Sequence, residues 1–210
     1  MNRRHFILAL ALAALSAACG REIELPALAD GARVLAFGDS VTYGTGAGAD
    51  EDWPALLAAA TGWEVVNAGI PGDTAQAGRH RLQELLDEFA PALVLVEIGG
   101  NDFLRRRSES EVKEDALRRI VRTARAGGAQ VVLVGVPALS LSGAVIGRLA
   151  DSPIYAALAQ EEGVPLVPDV FADVLSQAEL RADRIHPNAQ GYRRMADGIH
   201  ARLREIGLAR

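Results

Sequence analysis

Val34-Leu35-Ala36-Phe37-Gly38-Asp39-Ser40 is four apolar residues running without a break into a glycine, an aspartate and a serine. So short a run, with no polar alternation, reads as a strand buried on both faces, as in a parallel sheet covered by helices; the polar residues then fall at its carboxyl end. The same punctuation recurs along the chain. Val65-Val66 leads into Asn67-Ala68-Gly69-Ile70-Pro71-Gly72-Asp73, and Leu93-Val94-Leu95-Val96 precedes Gly99-Gly100-Asn101-Asp102. Val131-Val132-Leu133-Val134 is a fourth such run, also expected to be buried on both faces. Between the runs the period changes to that of a helix. Leu82, Leu85, Leu86 and Phe89 fall at i, i+3, i+4, i+7, as do Leu117, Ile120, Val121 and Ala124, with Gly127-Gly128 ending the second set. Trp53-Pro54 reads as the start of a packed helix. A last helix carries Tyr192, Met195, Ala196, Ile199, Leu203 and Ile206 on one stripe, and Pro187 before it suits a helix start. The order β-α-β-α-β-α-β predicts an α/β domain of three layers, α/β/α, around a doubly wound, mostly parallel sheet.

A chain of 210 residues, half of them hydrophobic, can bury one sizeable core but hardly two. Twenty-two basic residues against 27 acidic ones give a net charge of −5, with no basic stripe to follow a phosphate backbone, which argues against a nucleic-acid partner. The N-terminus differs from the rest. Met1 to His5 is polar and basic, and Phe6 to Ala18 is apolar on every face, too short to span a bilayer comfortably, so residues 1–19 read as a signal peptide. A leader follows over residues 20–31 and the folded domain over 32–210. Cys19 is the single cysteine, so no intrachain disulfide is available. Leu15-Ser16-Ala17-Ala18-Cys19 is similar to a bacterial lipobox whose leucine lies one residue early, and it equally fits a plain cleavage after Ser16-Ala17-Ala18. Cys19 is therefore either a lipid-bearing membrane tether or a residue beside an ordinary cut. Asn2-Arg3-Arg4-His5-Phe6 resembles a twin-arginine signal, although paired arginines in such a segment usually supply only charge.

In a doubly wound sheet the ligand site lies beyond the carboxyl ends of the strands, so the blocks after the apolar runs share one rim with Asp183-Arg184-Ile185-His186-Pro187. A serine hydroxyl is a weak nucleophile that needs a base, an orienting carboxylate and donors for a developing oxyanion. Ser40 is the candidate nucleophile. His186 is the candidate base, because imidazole is largely neutral near pH 7 yet accepts a proton readily. Asp183, three residues earlier, reaches back to the other ring nitrogen. The backbone N–H groups of Ser40 and Gly72 and the side-chain amide of Asn101 are the candidate donors. Read singly, each block has an ordinary explanation as a turn or a polar loop; four of them, in order on one rim, make the catalytic reading. Asp39 and Asp102 read as loop braces, since no metal-ligand cluster surrounds them.

Gly38-Asp39-Ser40, Gly72 within Asn67 to Thr74, Gly99-Gly100-Asn101-Asp102 and Asp183 to His186 resemble the four signature blocks of the SGNH (GDSL-type) hydrolases. The resemblance spans essentially the whole domain and is strongest to the periplasmic lysophospholipase/thioesterase and arylesterase branch. It implies an SGNH/flavodoxin-like fold, a Ser40/His186/Asp183 triad, an oxyanion hole of Ser40, Gly72 and Asn101, and hydrolysis of carboxylic esters with neither metal nor cofactor. The expected substrates are aryl or medium acyl esters, lysophospholipids or thioesters. The serine is not in a G-x-S-x-G elbow, unlike that of the ordinary α/β-hydrolases.

Specificity is less legible. Phe103 stands where that branch often has glycine, and narrows the acyl pocket or stiffens its loop. Arg105-Arg106-Arg107 is either a solvated face or a partner for an anionic substrate group. Pro137 to Ser152, with Leu139, Leu141, Val145, Ile146 and Leu149, is either an acyl-binding lid or a short packed helix. Two other functions use the same blocks: a carbohydrate O-acetylesterase or acyltransferase of the cell envelope, and a catalytically silent lipid- or glycan-binding module. The latter would be expected to lack a triad member, and none is missing.

Overall fold

The apolar runs become strands β1 (Arg33–Gly38), β2 (Glu64–Gly69), β3 (Leu93–Glu97) and β4 (Gln130–Val134), joined by β5 (Leu166–Val167). They belong to a computed structural model that describes residues 23–138 and 149–210. Every pairing in this sheet is parallel, in the spatial order β2-β1-β3-β4-β5. The chain leaves β1 toward one edge and returns to β3 on the other side. The crevice between the carboxyl ends of β1 and β3 is therefore the switch point at which an open α/β sheet takes its ligand.

Two strand expectations need correction. Val65 and Val66, expected to be enclosed on both faces, are only half-buried, because β2 is an edge strand flanked by β1 alone. The fourth apolar run is not the last strand. β5 adds a two-residue pairing, held by Leu133 N–H to the Pro165 carbonyl at 3.0 Å and Gly135 N–H to the Val167 carbonyl at 2.9 Å. A segment that short has no period to read.

The longer helices are α2 (Trp53–Thr61), α4 (Leu82–Phe89), α7 (Arg118–Ala126), α8 (Pro153–Glu162) and α10 (Ala189–Glu205). α7 continues without a break from α6 (Glu109–Glu111) through a π-helical stretch, Val112–Leu117, so the apolar stripe begun at Leu117 starts inside an irregular turn. α2 packs on α10, and α10 on α9 (Val170–Leu175); α4 packs on α7, and α7 on α8. Right-handed crossovers in opposite directions put these two sets on opposite faces of the sheet, giving the three expected layers. Trp53, at the start of α2, is fully buried and Asp52 caps the helix by accepting from Ala55 N–H at 3.0 Å. Pro187 does not start α10: it bridges Arg181 in a small hairpin, and Asn188 is the cap, accepting from Gly191 N–H at 3.0 Å.

Three short helices carry the chemistry-bearing blocks: α1 (Ser40–Tyr43), α3 (Ala75–Gly78) and α5 (Gly100–Leu104), each just beyond a strand end. At the opposite end of the sheet the leader docks on the C-terminus, Leu25 N–H donating to the Ile206 carbonyl at 3.0 Å and Leu28 N–H to that of Leu208 at 3.1 Å. The signal peptide read over residues 1–19, with Cys19, lies outside the described residues, as do Leu139, Leu141, Val145 and Ile146 of the apolar connection. Leu149 packs against the core.

Candidate active site

Ser40 opens α1 directly after β1 because Gly38 lets the chain turn there. A Cβ on Gly38 would stand 1.9 Å from Thr42 Oγ1 and 2.4 Å from the Glu97 carbonyl oxygen, so no side chain fits. Asp39 caps α1, its Oδ1 accepting from Val41 N–H at 3.0 Å. Ser40 is nearly buried, and its Oγ lies 2.9 Å from His186 Nε2. His186 Nδ1 lies 2.7 Å from Asp183 Oδ2, while Asp183 Oδ1 accepts from the N–H groups of Ile185 at 2.8 Å and His186 at 2.9 Å. A carboxylate only accepts, so Nδ1 carries the proton in this contact and Nε2 is left to receive one from Ser40. Burial works against the charge of Asp183, but the bonds from His186 and from these backbone groups outweigh it and hold its carboxyl below the ordinary aspartate value. The loop bearing both residues is fixed by Ala182 N–H to the His186 carbonyl at 2.9 Å and by Asn188 N–H to that of Leu180 at 2.9 Å. Tyr192 of α10 ties it to the nucleophile side, donating its hydroxyl to the Thr45 carbonyl at 2.8 Å.

The second block forms a turn, Ile70 to Asp73, closed by Asp73 N–H to the Ile70 carbonyl at 3.0 Å. Pro71 takes its second position and Gly72, at φ +79°, its third, a type II turn that strains any residue with a side chain at that glycine. Gly72 is exposed, and a Cβ there would meet nothing within 4 Å, so the backbone angle and not crowding calls for glycine. Asn67, in the same block, donates to the Thr42 carbonyl at 2.8 Å and thereby holds the end of α1 against β2. The third block supplies Asn101, whose Nδ2 donates to Asp39 Oδ2 at 3.1 Å and to the Asp73 carbonyl at 2.9 Å. Asp39 and Asp102 are braces, as expected: Asp39 grips Asn101 and α1, and buried Asp102 accepts from Ala75 N–H at 2.7 Å, anchoring α3.

The surrounding groove is shallow and open to solvent, lined by the polar Asp39, Ser40, Asn101 and His186, by Gly100, and by the apolar Val41, Leu104, Phe171 and Ile185. Gly72 is not in this lining. Nor is Phe103, which packs half-buried against the core, so the apolar wall comes from its neighbour Leu104. Arg105 turns back on the protein, its Nη2 donating to the Gly72 carbonyl at 3.0 Å, and Arg107 stands 3.7 Å from Asp102.

One polar group beneath the site was missed in the sequence. Glu97 ends the otherwise apolar β3 and is fully buried; the Thr42 hydroxyl donates to its Oε2 at 2.7 Å, and its Oε1 has no hydrogen-bond partner among the described residues. Burial, and then the nearby charge of Asp39, push its carboxyl well above the ordinary glutamate value, which favours its neutral form. Burial likewise pushes Asp39 up to about 6. The only signal was a glutamate at the end of a buried strand. The folded protein keeps this proton where the unfolded chain releases it, so stability falls as pH rises from the ordinary glutamate value toward the raised one. Asp39 and Asp151, the latter also pushed up to about 6 by burial, act with the same sign at lower pH. The interval that begins above about pH 6 therefore carries the Glu97 contribution with the least overlap from these groups. Glu97→Gln is expected to flatten the decline in melting temperature across that interval, measured by thermal melts; an unaltered slope would place the proton elsewhere.

Comparison with known proteins gives consistent matches. Residues 36–194 match the model of the GDSL-like lipase/acylhydrolase family. The chain is 36% identical over 178 residues to the thioesterase 1/protease 1/lysophospholipase L1 of Escherichia coli K12, covering 82% of this chain and 84% of that protein. It is 31% identical over 179 residues to the arylesterase of Vibrio mimicus, covering 81% and 88% respectively. Among solved structures it resembles that of TesA, with a TM-score of 0.70 at 32% identity over 83% of this chain and 99% of that one. The SGNH-hydrolase family esterase AlinE4 superposes with a TM-score of 0.63 at 28% identity over 87% and 100%.

Proposed function

The chain belongs to the GDSL-like lipase/acylhydrolase family and is a carboxylic ester hydrolase, and from that premise we propose that it works through an acyl-enzyme on Ser40. Ser40 Oγ attacks the ester carbonyl as its proton passes to His186 Nε2. Asp183 holds the Nδ1–H and stabilises the imidazolium. The oxyanion is met by the N–H groups of Ser40 and Gly72 and by the Asn101 amide. His186 then returns the proton to the departing alkoxide, and a water, deprotonated by the same nitrogen, releases the acid. The observation that carries this reading is the hydrogen-bonded chain from Ser40 to His186 to Asp183, at 2.9 and 2.7 Å, opening on a groove with one apolar wall.

That wall, Leu104, Phe171 and Ile185, supports esters of medium acyl chains or aryl alcohols as substrates, with lysophospholipids and thioesters in the same class. Each methylene buried there is worth about 0.8 kcal/mol, or about fourfold in kcat/KM. In a series of p-nitrophenyl esters, kcat/KM is therefore expected to climb about fourfold per methylene from acetate and level off once the groove is filled. A series that is highest at acetate, with acetylated glycan turned over faster than any of them, would overturn this substrate class in favour of an O-acetylesterase. Phe6 to Ala18 and Cys19 support export to the cell envelope, either free or tethered through a lipid on Cys19. The mass of the mature chain separates the two, and retention of Met1 to Cys19 would overturn both.

A further inference from the structure

We infer that Arg81 is a positioning residue that sets the nucleophile turn and the Gly72 loop relative to each other, through one guanidinium bonded to both. The proposal rests on the catalytic reading of Ser40 and Gly72 given above. Arg81 lies just before α4, away from the four sequence blocks, with its side chain only 20% exposed. Its Nε donates to Asp73 Oδ2, its Nη1 to the Ala68 carbonyl and its Nη2 to the Gly38 carbonyl, each at 2.9 Å. Its guanidinium carbon also stands 4.3 Å from the centroid of the buried Phe37 ring. These acceptors are not arbitrary. Gly38 and Gly69 are the last paired residues of β1 and β2, and beyond them the chains diverge, one into Asp39-Ser40 and the other into the turn at Gly72. The strand ladder ends where the two halves of the site must be held together. Arg81 bonds the last residue of β1, the penultimate residue of β2 and the residue after Gly72.

An arginine suits this place and a lysine does not. The planar fork directs three donors outward at fixed angles and stacks on an aromatic face, whereas an ammonium is a point charge that cannot reach three spread acceptors at once. Ile70 N–H, at 3.2 Å, also serves the Gly38 carbonyl. Catalytic groups displaced by about 1 Å lose about 10² in rate, so a slack joint between Ser40 and Gly72 should act on kcat and leave ground-state binding nearly intact.

The test is Arg81→Ala assayed well below its melting temperature, with kcat expressed per active site titrated by an organophosphate, so that loss of folded protein is not counted. We expect kcat per site to fall about 10²-fold with KM within about threefold. Millimolar guanidinium should recover about tenfold, and Arg81→Lys less than that. A kcat per site within about threefold of the parent, or a loss that guanidinium leaves untouched while lysine restores it, would overturn the proposal. If the alanine variant does not fold, Asp73→Asn decides: it removes the ion pair yet keeps the oxygen that accepts from Thr74 N–H at 3.0 Å. A kcat per site lowered about three- to tenfold supports the proposal and an unchanged one overturns it. Ser40→Ala, run alongside, keeps the two readings apart. An active Ser40→Ala enzyme would refute the catalytic reading, whereas an inactive one beside an undiminished Arg81 variant would refute only the role of Arg81.

Discussion

Ser40→Ala is expected to lower kcat for any ester substrate by about four to six orders of magnitude, while the melting temperature stays close to that of the parent. The size follows from what is lost. Without Oγ there is no acyl-enzyme, and His186 Nε2, 2.9 Å from that oxygen, has no hydroxyl to deprotonate. Residual turnover then comes from the oxyanion donors and from binding alone. The stability expectation follows from the setting: among the described residues the Ser40 side chain bonds His186 alone, and alanine is a better helix former than serine at the head of α1. An organophosphate should label the parent at Ser40 and leave the variant unlabelled at every serine. Measured kcat within about tenfold of the parent, in a variant of unaltered melting temperature, would sink the assignment of the nucleophile.

Much of the site was legible because a parallel sheet gathers the ends of its strands on one rim, and the chain marks those ends where an apolar run stops. Ser40, Asn101 and His186 are brought together in one groove, with Asp183 behind His186, although Ser40 and His186 are separated by 146 residues. What could not be read depends on contacts that leave no local pattern. β5 is two residues long and exists only because β4 lies beside it; the partial exposure of β2 comes from its rank in the sheet and not from its composition. Arg81 and Glu97 look in sequence like an ordinary helix-flanking cation and a strand-exit acid. Their importance comes from partners at sequence separations of 43 residues, to Gly38, and 55, to Thr42. Gly72 was assigned from its block, and its exposed turn is not part of the groove that Ser40, Asn101 and His186 line.

Asn101→Ala is expected to lower kcat by about 10²–10³, or about 2.7–4 kcal/mol, with KM nearly unchanged. The structure makes this a demanding prediction, because the two hydrogens of Nδ2 are already directed at Asp39 Oδ2 and the Asp73 carbonyl. A substrate carbonyl is no stronger an acceptor than that of Asp73, so in the ground state it gains little from the amide and KM carries little of the effect. As the tetrahedral intermediate forms, the same oxygen becomes an anion and outcompetes a neutral carbonyl for the donor, so the bond is made chiefly in the transition state. If Asn101 only braces Asp39 and the Gly72 turn, alanine removes two hydrogen bonds from resting protein. The loss is then about 1 kcal/mol of stability for each, and kcat stays within a few-fold. The two resting hydrogen bonds are lost in either case, so the melting temperature falls under both roles and kcat separates them. A kcat lowered by about 10²–10³ assigns the amide to the oxyanion, and a lowered melting temperature with near-native kcat removes Asn101 from the catalytic group.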